Sequence, residues 1–155
     1  MNSANIIKAE LSDIDIVKMI CAKTISKIYP RYYPKGAVEF FLHHHGESSI
    51  IDDIKQGHVF VCQDEEKNYV GSVTIKNNEI CRLFVLPEFQ GNGYGGTLLD
   101  FAEKIISEKS LDIILDASLP AKGIYLKRGF KETEHNVIKT ENGDLLCYDV
   151  RVKHL

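Results

Sequence analysis

The chain has 155 residues, 44% hydrophobic and 26% charged, the composition of a soluble globular protein, and its length suits one domain over residues 1–155. A formal net charge of −3 argues against a nucleic-acid partner, and no apolar run approaches the ~18 residues of a membrane span. Met1-Asn2-Ser3-Ala4-Asn5 lacks the regions of a signal peptide, and Cys21, Cys62, Cys81 and Cys147 are too scattered for a metal or redox framework; both observations point to a cytoplasmic protein.

Ile6 and Ile7 begin a short strand that stops at Leu11-Ser12, and Ser12 with Asp15 forms a capping-box-like helix start. Ile14, Val17, Cys21, Ile25 and Ile28 then keep helical spacing up to Tyr29-Pro30. A second helix runs from Gly36 with Val38, Phe41 and Leu42 on one side, and a third begins at Ser48-Ser49 with Asp52 as capping partner of Ser49. The period then changes to two. His58–Cys62 and Tyr69–Ile75 read as strands around the charged turn Asp64–Asn68, and Asn77-Asn78 turns the chain into a further strand, Ile80–Leu86.

Next comes Gln90-Gly91-Asn92-Gly93-Tyr94-Gly95-Gly96, followed by an amphipathic helix opening at Thr97 with Leu98, Leu99, Ala102, Ile105 and Ile106 as its buried stripe. Ile113-Ile114-Leu115 is continuously apolar, as expected of a strand covered on both faces. Ala121–Arg128 reads as a helix capped by Gly129, and two last strands flank the Asn142-Gly143 turn. The result is a mixed sheet with helices on both faces.

A strand, a glycine-rich turn and a helix N-terminus together make an anion cradle. Glycines admit φ > 0 and let main-chain N–H groups converge, and the helix adds unpaired donors and the positive end of its dipole. Two phosphate-bearing ligands fit this turn. Gly91-x-Gly93-x-x-Gly96 is a dinucleotide fingerprint, with Asp116 lying 20 residues past Gly96. However, about half the chain precedes the turn, whereas a dinucleotide unit normally uses its first strand.

The other reading rests on Gln90-x-x-Gly93-x-Gly95, within Leu83-Phe84-Val85-Leu86-Pro87-Glu88-Phe89-Gln90-Gly91-Asn92-Gly93-Tyr94-Gly95, and on Ala121-Lys122-Gly123-Ile124-Tyr125-Leu126-Lys127-Arg128-Gly129-Phe130. These two segments resemble the fourth strand with its pyrophosphate loop, and the late helix, of the GNAT superfamily of acyl-CoA-dependent N-acyltransferases. The resemblance is specific over residues 79–130 and loose elsewhere. It implies a single α/β (α+β) domain with a mixed, mainly antiparallel sheet, acetyl-CoA as donor co-substrate, and no metal.

By that resemblance, main-chain groups of Gly91, Asn92, Gly93, Tyr94, Gly95 and Gly96, with Gln90, hold the pyrophosphate. Leu83, Phe84 and Val85 run beside the pantetheine arm, where a backbone N–H would also serve as oxyanion donor. Tyr125 is the expected general acid for the leaving thiolate, and Glu79, eleven positions before Gln90, the expected general base for the amine. Strand alternation puts Glu79 on one face with Cys81, Leu83 and Val85. Asn92 stands where the family often has a basic residue, a charge that Lys122, Lys127 or Arg128 would replace. Ser118 stands where an asparagine often contacts pantetheine.

The segment Ile28–Lys35 joins the first two helices, a region that commonly lines the acceptor site in the family. Tyr29, Arg31, Tyr32 and Tyr33 are its candidate acceptor residues, offering π-faces and a guanidinium, or else they form a rigid Pro-framed surface loop. His43-His44-His45 is not a metal site, because consecutive helical residues point ~100° apart. The resemblance therefore implies direct transfer of an acetyl group to an amine-bearing small molecule or protein in a ternary complex. Edge-strand dimers among relatives keep a homodimer in view. A non-catalytic acyl-CoA-binding regulatory domain is the second reading, and a dinucleotide enzyme the third.

Overall fold

The computed structural model describes residues 3–155. β1 (Asn5–Lys8) is followed by three helices, α1 (Ile14–Ile28), α2 (Lys35–His44) and α3 (Glu47–Lys55). Three strands come next, β2 (Val59–Gln63), β3 (Tyr69–Lys76) and β4 (Glu79–Val85), and then α4 (Tyr94–Ser107). The chain closes with β5 (Asp112–Ala117), the short α5 (Lys122–Lys127), β6 (Lys131–Lys139) and β7 (Leu145–His154). The seven strands form one sheet in the order β1-β2-β3-β4-β5-β7-β6, and every neighbouring pair is antiparallel except β4 with β5. A single parallel pair does not make the repeated βαβ of a dinucleotide unit.

Helices cover both faces because apolar stripes on both sides need burial. Leu98, Leu99, Ala102 and Ile106 of α4 pack with Val73, Ile75, Leu115 and Phe130 on one side. On the other, Ile20 and Ile25 of α1, Ala37 of α2 and Ile50 of α3 pack with Val59, Val61 and Phe84. Among the described residues, no helix is long and apolar enough to cross a membrane.

Several element starts differ from the sequence reading for local reasons. Leu11–Asp13 form a 3-10 turn ahead of α1, so the capping box falls on Glu10 and Asp13, with the Glu10 N–H donating to Asp13 Oδ2 at 2.8 Å, rather than on Ser12 and Asp15. Gly46 precedes α3 in extended conformation, which places Ser48 and Ser49 inside the first turn instead of at the cap. Helix α4 starts at Tyr94 rather than Thr97, because Gly93 takes the left-handed cap conformation. β5 is fully covered on one face only: Ile113, Leu115 and Ala117 are buried, whereas Asp116 is exposed, since β4 has already left its side.

A carboxylate is buried completely in this fold. Asp149 on β7 is 0% exposed and accepts bonds from Lys122 Nζ at 2.7 Å, His135 Nδ1 at 2.7 Å and Arg151 Nη2 at 3.4 Å. Burial pushes its carboxyl up, but the bonds from His135, Lys122 and Arg151 outweigh that and hold it down at about 2. These bonds join β6, β7 and α5 at one carboxylate. Asp149→Asn is expected to destabilise the protein by about 3 kcal/mol at pH 7, because it leaves the buried Arg151 and the partly buried Lys122 without their counter-charge. The folded carboxyl titrates below the unfolded one, near 3.8, so its contribution is present above about pH 4 and lost as the pH falls toward about 2. Urea melts of both proteins check this. The gap between them narrows only in that acid window.

Candidate active site

β4 and β5 share only two register pairs, Glu79 with Ile114 and Ile80 with Leu115, and then separate, while β5 stays paired with β7 from Asp112 to Ala117. A bulge in β4 accompanies the separation. Thr74 of β3 faces Arg82, but Ile75 faces Ile80, so Cys81 is one residue too many. An extra residue bends a strand and sharpens its twist. The opened sheet holds a cavity of about 550 Å³.

The bulge also reverses the alternation. Ile80, Leu83 and Val85 pack toward α4, whereas Arg82 and Phe84 belong to the side of α1–α3. Glu79 consequently shares a side with Arg82 and Phe84, not with Leu83 and Val85 as simple alternation implies. It lines a second chamber of about 490 Å³, together with Asp52, Gln56 and Lys76. His44, His45, Cys81, Arg82 and Asp116 line both chambers, which makes the second an extension of the first.

The glycine turn closes one end of the main cavity. Gly91 (φ 80°) and Gly93 (φ 88°) are left-handed, and a Cβ on either would meet nothing within 4 Å, so backbone conformation rather than crowding demands glycine. Tyr94, Gly95 and Gly96 form the first turn of α4, whose N–H groups have no acceptor within the helix. Gln90 braces the turn by donating from Nε2 to the Val85 carbonyl at 2.9 Å, and Asn92 Nδ2 donates to the carbonyls of Phe89 and Gln90 at 3.0 and 3.3 Å. Asn92 thus stiffens the loop from within. Of the cations considered as substitutes for a loop charge, Lys122 is held by Asp149, and Arg128 pairs with Asp100 beside Gly96.

The remaining candidate residues divide by position. Leu83, Phe84, Val85, Gln90, Gly91, Gly93, Tyr94 and Gly95 line the cavity, as do Ser118 and Tyr125; Asn92 and Gly96 do not line it. Tyr125 sits on α5, only 7% exposed and edge-on to Phe130, and burial followed by the neighbouring Tyr29 pushes its phenol up. Tyr29 and Tyr33 stand one helical turn apart and point inward, 7% and 6% exposed, packed on Phe41. Tyr29 lines the cavity and donates to Ser118 Oγ at 3.2 Å, whereas Tyr33 does not reach it. Arg31 and Tyr32 stay exposed at its rim.

Charge is distributed unevenly around the second chamber. Arg82 and Lys76 share Asp53, Lys76 at 2.9 Å, so the pair's positive charge is partly offset there. Burial holds His45 down at about 3 and also lowers His44, which keeps both rings neutral. Burial and then Asp116 push Glu79 up, and Asp116 is raised mainly by its own burial. Burial and Glu79 push the Cys81 thiol up to about 11, which leaves it protonated and a poor nucleophile. Arg82 escaped the sequence reading; Asp116 entered it as the acidic residue of the dinucleotide fingerprint, and His44 and His45 entered it within a triplet excluded as a metal site. The available signal for a role in this chamber was an aspartate at the end of an otherwise apolar strand.

The family model of the acetyltransferase (GNAT) domain matches residues 28–143. The chain belongs to the GNAT family. A GCN5-related N-acetyltransferase from Rhodopseudomonas palustris superposes with a TM-score of 0.90 at 22% identity, covering 100% of this chain and 98% of that one. The PaiA N-acetyltransferase from Thermoplasma acidophilum, solved in complex with coenzyme A, gives 0.76 at 21% identity, with 99% of each chain covered. An uncharacterized N-acetyltransferase of Staphylococcus saprophyticus is 42% identical over 57 residues, which span 37% of this chain and 36% of that protein. In this GNAT chain the glycine turn, the opened β4 and Tyr125 therefore converge on one cavity within the family's fold.

Gly93→Ala is expected to cost about 1–2 kcal/mol through backbone strain alone, and Gly93→Asn less, because asparagine tolerates the left-handed region. Urea midpoints of the two variants check the order. Equal losses would point to crowding instead.

Proposed function

We propose that this GNAT protein transfers an acetyl group from acetyl-CoA to a primary amine by direct attack in a ternary complex. The observation that carries the reading is the opened β4–β5 cleft, with the anion-binding turn at one end and the Tyr125 phenol on its wall. The glycine turn and the first N–H groups of α4 suit the pyrophosphate. From Cys81 to Val85, β4 has no β5 partner, so on that side its main chain, apart from the Val85 carbonyl that Gln90 bonds, can pair with an extended pantetheine arm.

Acetyl-CoA supplies the activated acyl carbon. Glu79 takes a proton from the incoming ammonium, directly or through water, and its raised pKa improves its match to that task near neutrality. The amine lone pair then forms the C–N bond as the C–S bond breaks, Tyr125 protonates the departing thiolate, and the second proton on the amide nitrogen leaves through water, from which the Tyr125 phenol is restored. Because its phenol is held above the ordinary tyrosine range, Tyr125 keeps its proton through the working pH range. No covalent enzyme nucleophile is needed. Glu79 and Asp116 carry no ion pair and draw a cationic amine toward the cleft. The reading includes a cytoplasmic setting, which the four free cysteines support.

Calorimetric titration with acetyl-CoA, CoA and NADH, followed by thiol-release assays on an amine panel, tests the proposal. Saturable acetyl-CoA binding and thiol release are expected. CoA binding without transfer to any amine favours a regulatory acyl-CoA-binding domain, and NADH binding alone overturns the cofactor reading. Glu79→Gln should lower kcat/KM about 10²-fold near neutral pH and remove the acidic limb, since the wild-type base must ionise as pH rises through its raised pKa. Tyr125→Phe should lower kcat by about 10²-fold at every pH up to 9. Full activity in either variant removes that residue from the mechanism.

A further inference from the structure

The helix that carries Tyr125 has only six residues and cannot hold its own position. Its place is decided by where the chain leaves β5, and that point is gripped by one side chain. Leu119 donates its main-chain N–H to the Tyr33 hydroxyl at 2.7 Å, and the same hydroxyl donates to the Cys147 carbonyl at 3.0 Å. In the β5–β7 register Ala117 faces Asp149, so Leu119 would face Cys147 if the ladder ran two residues further. The phenol is inserted where that pair would have met.

We infer that Tyr33 is a positioning residue for the reaction: its hydroxyl ends the β5–β7 ladder at Ala117 and so sets the location of Tyr125. The inference rests on the reading of Tyr125 as general acid. Neighbouring bonds support it. The Tyr29 hydroxyl holds Ser118 at 3.2 Å, the Ala121 N–H closes on the Ser118 carbonyl at 3.1 Å, and Asp149 grips Lys122 at 2.7 Å. Burial pushes the Tyr33 phenol up to about 12, so it remains a donor to Cys147. Its ring is held independently of its hydroxyl, against Tyr29 and Phe41 with centroids 5.7 and 5.1 Å away. Removing the hydroxyl alone therefore leaves the core packed and frees Leu119 N–H to zip onto Cys147 C=O, which draws the chain toward β7 and α5 with it.

The test is a double-mutant cycle with Tyr125. Tyr33→Phe is expected to lower kcat about tenfold with the Kd of acetyl-CoA and the KM of the amine changed less than about twofold, since small misplacements of a reacting group are costly. In a Tyr125→Phe background the same substitution should change kcat less than about twofold. Leu119→Pro removes the same bond from the other side and serves if Tyr33→Phe does not fold. The site is the first position of a 3-10 turn and follows Ser118 at φ −71°, ψ 160°, a conformation proline accepts in its predecessor. Proline has no N–H to zip onto the Cys147 carbonyl, so this variant loosens the segment without drawing it toward β7 and should lower kcat by a smaller factor than Tyr33→Phe, again with the Kd of acetyl-CoA changed less than about twofold. Turnover is read with acetyl-CoA and the fastest amine of the panel, and ring resonances of carbon-13 tyrosine, assigned by Tyr125→Phe, report the place of Tyr125 without turnover. A shifted Tyr125 resonance in Tyr33→Phe supports the inference even where no amine is turned over. An unmoved resonance, an undiminished kcat, or an equal loss in both backgrounds overturns it. Full kcat in Tyr125→Phe alone sinks the acid assignment instead, whatever Tyr33 does.

Discussion

The parting of β4 from β5 after two register pairs is the constraint on which the rest of this molecule depends. A sheet that stayed closed would satisfy its main chain internally and leave no room for a ligand. Here the main chain of β4 beyond Ile80 lacks a partner on one side, and such an edge invites an extended guest. The opening is maintained from both flanks. On one, the bulge at Cys81 bends β4; on the other, β7 holds β5 along its full length. Everything assigned to chemistry then lines this cavity or the chamber that extends it, supplied by elements distant in sequence.

Holding a cleft open in a small domain requires polar anchors in its interior, and two buried carboxylates provide them. Asp53 pairs with both Arg82 and Lys76 on the side of the second chamber, and Asp149 gathers Lys122, His135 and Arg151 under α5. Each anchor absorbs cations that would otherwise compete for the acceptor region. The result is a wall where Glu79 and Asp116 remain unpaired and the two histidines stay neutral. An amine arriving as a cation finds attraction and a proton acceptor in the same place.

The tyrosines show how the two halves of the cleft are joined. Tyr29 and Tyr33 belong to the connection between α1 and α2, yet their hydroxyls bind Ser118, Leu119 and Cys147 on the opposite wall. Acceptor-side and leaving-group-side elements are thereby built as one unit. Arg31 and Tyr32, between them in sequence, face the rim instead and are free to meet an incoming molecule.

Much of this was legible in the residues themselves, for reasons that are local. A turn that needs φ > 0 is written at least cost with glycine, and Gly91, Gly93, Gly129 and Gly143 all occupy that region. Amphipathic spacing announced α1 and α4 because each must bury one stripe. The family motifs reached from Glu79 to Phe130, and the fold matched them. What only the tertiary structure decided is which way particular side chains face. One bulged residue moved Glu79 to the other side of β4, and nothing in the run Ile80–Leu86 marks where the bulge falls. Likewise, nothing local separates Tyr33 from Tyr32; the first is buried because β5 ends where its hydroxyl can replace a ladder bond. The sequence determined the backbone's conformational permissions, which are properties of single residues. Register, bulge position and the pairing of distant polar groups depend on several elements at once, and were settled only when the sheet assembled.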